Sequence, residues 1–378
     1  MPNFKIFNLA IFLLVLQVGC KTEQPIHEYD CETLTYVGNS DIKDISEIIS
    51  ERIVLQPETN DNSIIGNTLR RVIQHDSLLI FLDNMKQILV FTIDGRHKFT
   101  IHNVGQGPGE YINLADVAID EKNKELILLT YNRLLRYSLN DGQYCGKSVD
   151  LDGYYDEIIV IDDTAYLLCS TLINNELATN NVATIDLSKG EKSEYLNTIE
   201  EFAPYCSYSG AYLNTIGKKK VILTRKFDTY IYLLAQDSYC AQFNTSWGSQ
   251  FLHPEKGTVY DCGEISAMTM KTDEIFVLSG LQVGNSIMTF TTNLPRLFYS
   301  NLITKEIFST TMLRDSELPI FMINLLPVTN SDGWVLACFE YPMLKKAIQV
   351  DDNCDTLKNI LANMDSESNP LFILYKLK

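Results

Sequence analysis

From residue 51 onward the chain repeats one unit, an apolar run set among shorter strands and turn signals, and the run recurs every 40–60 residues. The most apolar runs are Leu78–Leu82, Leu126–Leu129, Ala165–Cys169, Val221–Leu223, Ile275–Leu278 and Val335–Cys338. Short stretches of Ile, Val, Leu, Tyr and Phe between Asp-Gly and Asn turns indicate strands, and helical periodicity is confined to about residues 343–364. The second unit shows the plan: Leu114–Asp120 inside, Glu125–Thr130 buried, Arg133–Leu139 third, and Gln143–Val149 at the outer edge. Asp141-Gly142 turns the last pair, where positive φ is needed, and Asp94-Gly95 holds the matching place one unit earlier.

Such a period with four strands per unit predicts an all-β chain, a six-bladed β-propeller with four-stranded blades. The last unit has three strands of its own, Phe321–Val328, Trp334–Tyr341 and Leu371–Leu377. An N-terminal strand, Arg52–Gln56, would close that blade and remove an open sheet edge. Two β-sandwiches are the alternative that strand spacing leaves open.

Ahead of the repeat, Lys5 and the apolar run Ile6–Leu16 have the build of a secretory signal, too short to span a bilayer. Leu16-Gln17-Val18-Gly19-Cys20 resembles the cleavage site of a bacterial lipoprotein. The domain expectation is therefore a signal at 1–19, a lipidated Cys20 with a tether through 50, and the propeller at 51–378. Acyl chains on Cys20 would hold the protein to a membrane in the cell envelope, with the outer membrane as the expected site. The other eight cysteines form no Cys-x-x-Cys pair, which argues against zinc ribbons and thioredoxin-type redox chemistry.

Val104-Gly105-Gln106-Gly107-Pro108-Gly109-Glu110-Tyr111 is the most distinctive segment. It resembles the glycine-rich signature of the six-bladed β-propeller lipoproteins of Bacteroidetes, which are related to NHL-type propellers. The ending Asn369-Pro370 followed by an apolar strand and a terminal lysine is similar to theirs as well. The resemblance spans about residues 45–378 and implies a fold and an envelope location, with no common activity. Physically, the glycines allow positive φ or close backbone approach, and Pro108 fixes its own φ. The favoured reading is a rigid turn between blades one and two, with Glu110 accepting from backbone amides. No helix pattern and no Gly-Lys-Ser/Thr follow, so it is not a phosphate loop.

The formal charge of −17 argues against a nucleic-acid partner, and Lys218–Lys220 is the only basic run. No metal-ligand spacing, nucleophile elbow or catalytic pair is present, so no catalytic residue, metal or cofactor is predicted. Long connections at Thr171–Asn180, Val283–Pro295 and Pro342–Pro370 are expected on the same rim as the glycine motif. Rigid scaffolds carry recognition on such loops. The rim candidates are Asp83, Asn84, Glu110, Tyr111, Tyr131, Arg133, Arg225, Asp228 and Arg296. These features predict a lipid-anchored binding or scaffold module for a glycan, a peptide or an envelope protein. The competing expectation is a channel-sited glycan hydrolase or lyase, with or without a metal.

Overall fold

The computed structural model describes residues 30–40, 44–130, 132–169, 172–173, 176–177, 180–197, 211–252, 262–322, 324–350 and 354–378. Strands dominate and are arranged as antiparallel four-stranded units. Sheet A is Leu69–His75, Leu78–Asp83, Ile88–Thr92 and His97–Ile101, in that spatial order. Sheet B is Asp116–Asp120, Glu125–Leu129, Arg133–Ser138 and Tyr144–Asp150. Sheet C is Tyr155–Ile161, Thr164–Cys169, Asn180–Asp186 and Lys192–Asn197.

Sheet D has nine strands. One half runs Leu213–Ile216, Lys220–Leu223, Tyr230–Leu234 and Tyr239–Ser246. The other runs Leu278–Val283, Ile287–Thr292, Leu297–Asn301 and Glu306–Thr310. Glu32–Asn39 lies between the two outer strands, parallel to both. Sheet E is Leu326–Pro327, Trp334–Phe339, Leu371–Leu377 and, as its outer strand, Ile49–Leu55. The N-terminal strand thus pairs antiparallel with the C-terminal one, Arg52 opposite Tyr375. Arg52 and the Tyr375 hydroxyl both reach the buried Asp315 carboxylate, at 2.7 and 2.8 Å.

The second and third strands read as nearly unbroken apolar runs because neighbouring sheets cover both of their faces. The core follows this stacking. One apolar cluster joins sheets A and B, another B and C, another the two halves of D, another D and E. A further cluster sets Phe372, Leu374 and Trp334 of E against Phe81, Phe91 and Leu79 of A. Sheet C meets the first half of D where the Tyr195 hydroxyl donates to the Ala235 carbonyl at 2.5 Å. The stack therefore returns to its start, which is the radial arrangement of a β-propeller rather than of two sandwiches.

Three expectations need correction. The segment through residue 50 is not all tether. Leu34 is fully buried, Tyr36 packs on Trp247 at 5.3 Å, and Asp44 caps a short 3-10 turn that buries Ile45. Val283–Pro295 is not a rim loop, because Ile287–Thr292 is a strand and Ile275–Val277 is a buried lead-in to the strand before it. Continuous burial had hidden which apolar run came first. Phe321–Val328 is not one strand: Ile320–Met322 pairs with Leu313–Asp315, and only Leu326–Pro327 joins sheet E. Pro327 has no amide to continue the ladder.

Strand polarity fixes two ends. Within each four-stranded unit, the start of the first strand, the second-to-third turn and the end of the fourth strand share one end, here the upper end. Three long connections fall there. They are residues 170–179 with a two-stranded hairpin, 247–277 with helix Cys262–Thr272, and 340–370 with helices Tyr341–Val350 and Asp355–Leu361.

Candidate functional site

The innermost strands of sheets A and C each carry a β-bulge near their upper ends. Register shifts between Leu69 and Arg71, and between Tyr155 and Glu157. A bulge leaves one residue unpaired and re-aims its side chain. The bulged residues are Arg70 and Asp156, and both are exposed. Their neighbours Arg71 and Glu157 are buried.

The buried set closes the axis. Arg71 donates to Asp116 through Nε at 3.0 Å and also through Nη2, and it reaches Glu157 Oε2 at 3.1 Å and the Leu213 carbonyl at 2.9 Å. Glu157 accepts the Tyr212 and Leu213 amides at 2.8 and 2.9 Å, and Asp116 accepts the Ile158 amide at 2.9 Å. One guanidinium therefore links the first three sheets and the first half of D. Burial pushes the Glu157 carboxyl up to about 7, with Arg71 pulling against it and Asp116 adding to it. The network continues around the axis. Asn214 donates to the Leu281 carbonyl at 2.8 Å and accepts from Thr329, and Thr329 in turn exchanges backbone bonds with Val72 and Gln74.

Above this layer lies a mouth. Arg70 donates from both terminal nitrogens to the Leu114 and Ala115 carbonyls, at 2.8 and 2.6 Å. Lys86 anchors to the same loop through the Ile112 carbonyl at 3.0 Å. Asp156 lies within electrostatic reach of Lys226 and Arg70 and accepts no hydrogen bond among the described residues. Its carboxyl meets solvent but is walled in by protein, and this desolvation raises its pKa against the pull of Lys226 and Arg70. Desolvation likewise lowers the pKa of Lys226, against Asp156 and Glu157. The Lys226 amine sits 5.6 Å from the centre of the Tyr212 ring, and Tyr154, two residues before Asp156, is 48% exposed.

The residues nominated from sequence fall into three groups. Asp83 and Tyr111 are turned inward. Asp83 accepts Gly66 N at 2.8 Å and Gln87 Nε2 at 2.7 Å, and the Tyr111 hydroxyl donates to the Lys86 carbonyl at 2.9 Å. Neither presents a polar group to the rim, because each satisfies backbone groups of a turn. Glu110 accepts the Gly107 amide at 2.8 Å, and its carboxylate occupies the space that a Cβ on Gly105 would fill. Gly109 has φ +77° and packs against Tyr144. The glycine motif thus makes a turn that holds its own glutamate.

Arg225 and Asp228 are bonded to each other, with Nε to Oδ2 at 2.8 Å, and to Tyr232 and Asn181. Arg296 pairs with Asp273 at 2.8 Å. Asn84 is exposed at its turn, and Arg133 is half-buried with no ion pair among the described residues. Tyr131 and Cys20 lie outside the described residues. Among the described residues no three His, Cys, Asp or Glu side chains are grouped to hold a metal ion. Arg70 and Asp156 were missed in the sequence, although like-charged pairs heading an apolar strand, Arg70-Arg71 and Asp156-Glu157, were the available signal.

Two solved structures share the fold. A candidate exported protein of Bacteroides fragilis aligns with TM-score 0.74 at 16% identity, covering 92% of this chain and 99% of that one. A member of the DUF4221 family from Bacteroides vulgatus aligns with TM-score 0.51 at 9% identity, covering 88% and 98%. No curated protein matches. A family model, the domain of unknown function DUF4934, matches residues 32–376 and so takes in every described sheet, the inserted strand Glu32–Asn39 among them. This chain belongs to the DUF4934 family.

Proposed function

We propose that this chain is a six-bladed propeller, NHL-like in plan, lipid-anchored through Cys20 in the bacterial cell envelope, at the outer membrane. It acts as a non-enzymatic binding or scaffold module for a glycan, a peptide or a protein partner. The blade count is supported by the four four-stranded sheets together with the two four-stranded halves of sheet D. The observation that carries the binding role is one-sidedness: the long connections 170–179, 247–277 and 340–370 all stand at the upper end. Elaborated loops on one end of a rigid scaffold are the usual form of a recognition surface. Arg71, Asp116 and Glu157 fill the axis below, which favours binding at the rim over chemistry deep in a channel.

Glu32 begins its strand against Lys305, in a third-to-fourth-strand turn at the lower end. Photo-crosslinkers placed at Asn84 and Arg133 on the upper end, and at Lys122 on the lower, test the reading in intact cells. Capture of a partner from the upper positions alone is expected. Equal capture from Lys122, or capture from Lys122 alone, would overturn it.

A further inference from the structure

The Asn369-Pro370 ending has no part in the axial network, yet Asn369 is buried and its side chain is engaged on both sides. It accepts the Ile65 amide at 2.9 Å and donates to the Glu58 and Ser63 carbonyls, each at 2.8 Å. These bonds hold the loop that enters sheet A against the chain that enters the third strand of sheet E. Between the two sheets, at the upper end, a cleft of about 170 Å³ remains. Ile65, Leu69, Leu326, Pro370 and Phe372 give it an apolar wall. A space of that size suits one aromatic ring or one branched aliphatic side chain. It is smaller than the pockets that enclose whole small-molecule ligands.

The surface beside the cleft is apolar as well. Ile64, Met85, Val104 and Ile112 are each more than half exposed. They stand on three upper loops that are tied together. Gln87 Nε2 donates to the Ile64 carbonyl at 2.8 Å, Lys86 donates to the Ile112 carbonyl, and Val104 is bridged to Tyr111. Met85 joins this patch to the cleft, because a Cβ on the cleft residue Gly66 would stand 3.0 Å from Met85 Cγ. Most of the exposed large apolar side chains among the described residues lie in upper connections, with Val37, Val54 and Ile303 the exceptions. Single exposed apolar residues are ordinary, but a group on adjoining loops marks a docking surface. The local charge also runs against the chain's −17. Lys86 and Arg70 are held by backbone carbonyls, whereas the carboxylates of the same loops, Asp83 and Glu110, are occupied by the Gly66 and Gly107 amides.

Resting on the reading of the upper end as the binding face, we infer that the cleft and its patch dock a polypeptide, with one aromatic or branched aliphatic side chain seated in the cleft and acidic residues beside it meeting Lys86 and Arg70. An anchor side chain buried in a pocket and ringed by weaker contacts is the usual energetic centre of a protein–protein contact. Two cations on an otherwise acidic chain direct acidic segments to this place and raise their on-rate. Methionine adapts its shape to a partner's surface, which suits Met85 at the junction of patch and cleft.

Panning a phage-displayed library of random twelve-residue peptides against the full chain in neutral detergent tests this. Enriched sequences are expected to carry an aromatic residue, leucine or isoleucine next to Asp or Glu. As synthetic peptides they are expected to bind Met85→Asp at least tenfold more weakly, and Lys86→Gln severalfold more weakly. Cys338 also lines the cleft, and Cys338→Phe, which fills it, should weaken them at least tenfold. Melting curves show that each variant is folded, and Met85→Asp, at an exposed position, carries the test if Cys338→Phe is not. Enrichment of basic peptides, or of peptides without an apolar anchor, would overturn the inference. So would binding that ignores the folded cleft and patch variants. Loss of peptide binding when the micelles are doped with phosphatidylglycerol would assign the surface to a membrane instead and overturn it as well. Failure to enrich any peptide, with crosslinkers at Asn84 and Arg133 still capturing a partner, would remove this inference and leave the binding-face reading standing.

Discussion

Arg70 and Arg71, and Asp156 and Glu157, are adjacent in the chain and opposite in fate. The inner member of each pair is buried in a network that ties four units of the structure together. The outer member is exposed at the mouth. The residue types match, so chemistry alone does not separate them. Position on the strand does, sharpened by a bulge that keeps the outer side chain from folding back onto the ladder. Below, charge is neutralised pairwise and serves cohesion. Above, the Asp156 carboxyl feels the fields of Lys226 and Arg70 and accepts no hydrogen bond among the described residues.

The largest expected difference is in stability. Arg71→Met should cost about 3–5 kcal/mol, because it strands Asp116 and Glu157 without their buried partner. Arg70→Gln, one residue away, should cost less than about 1 kcal/mol, as for exposed groups generally. Urea denaturation of both variants measures this, and equal losses would erase the distinction between the two layers. A milder effect is expected in the glycine loop beside the mouth. Gly105→Ala forces a methyl into the Glu110 carboxylate and should destabilise by about 1–3 kcal/mol. Adding Glu110→Ala should recover much of that, and a double-mutant cycle showing no coupling would refute the contact.

A further effect is a pH slope. The Glu157 carboxyl is raised from its ordinary 4.5 to about 7, so the folded state binds the proton more tightly than the unfolded chain does. Its contribution to stability is complete below about 4.5 and is lost as pH rises through about 7. Glu157→Gln should flatten that downward slope in denaturation midpoints measured across the window. Asp156→Asn should change it less, because the Asp156 side chain reaches solvent.

Much of the scaffold was legible beforehand. The four strands of sheet B lie within two residues of the runs expected for them, and the closing strand near residue 52 pairs where its apolar pattern placed it. The glycine motif was legible in part: its turn and its glutamate follow from local geometry over a few residues. The inserted strand Glu32–Asn39 was not, because only Leu34 and Tyr36 mark it and the rest of its surface is polar. The strand at Ile287–Thr292 was hidden too, since burial on both faces removes the alternation that separates one strand from the next. Helix Cys262–Thr272 was hidden because its described side chains are mostly exposed and leave no apolar stripe to mark it.

By itself, the sequence determined the repeat, the strand-rich class, the closure of the two ends and the acidic charge, because each depends on short-range pattern or on composition. The tertiary structure decided which charged residues meet. Arg71, Asp116, Glu157 and Leu213 are separated by 45, 86 and 142 positions from the arginine, and no local rule links them. It also decided which of two neighbouring arginines would face solvent, because a bulge depends on how two strands pair and not on either strand alone.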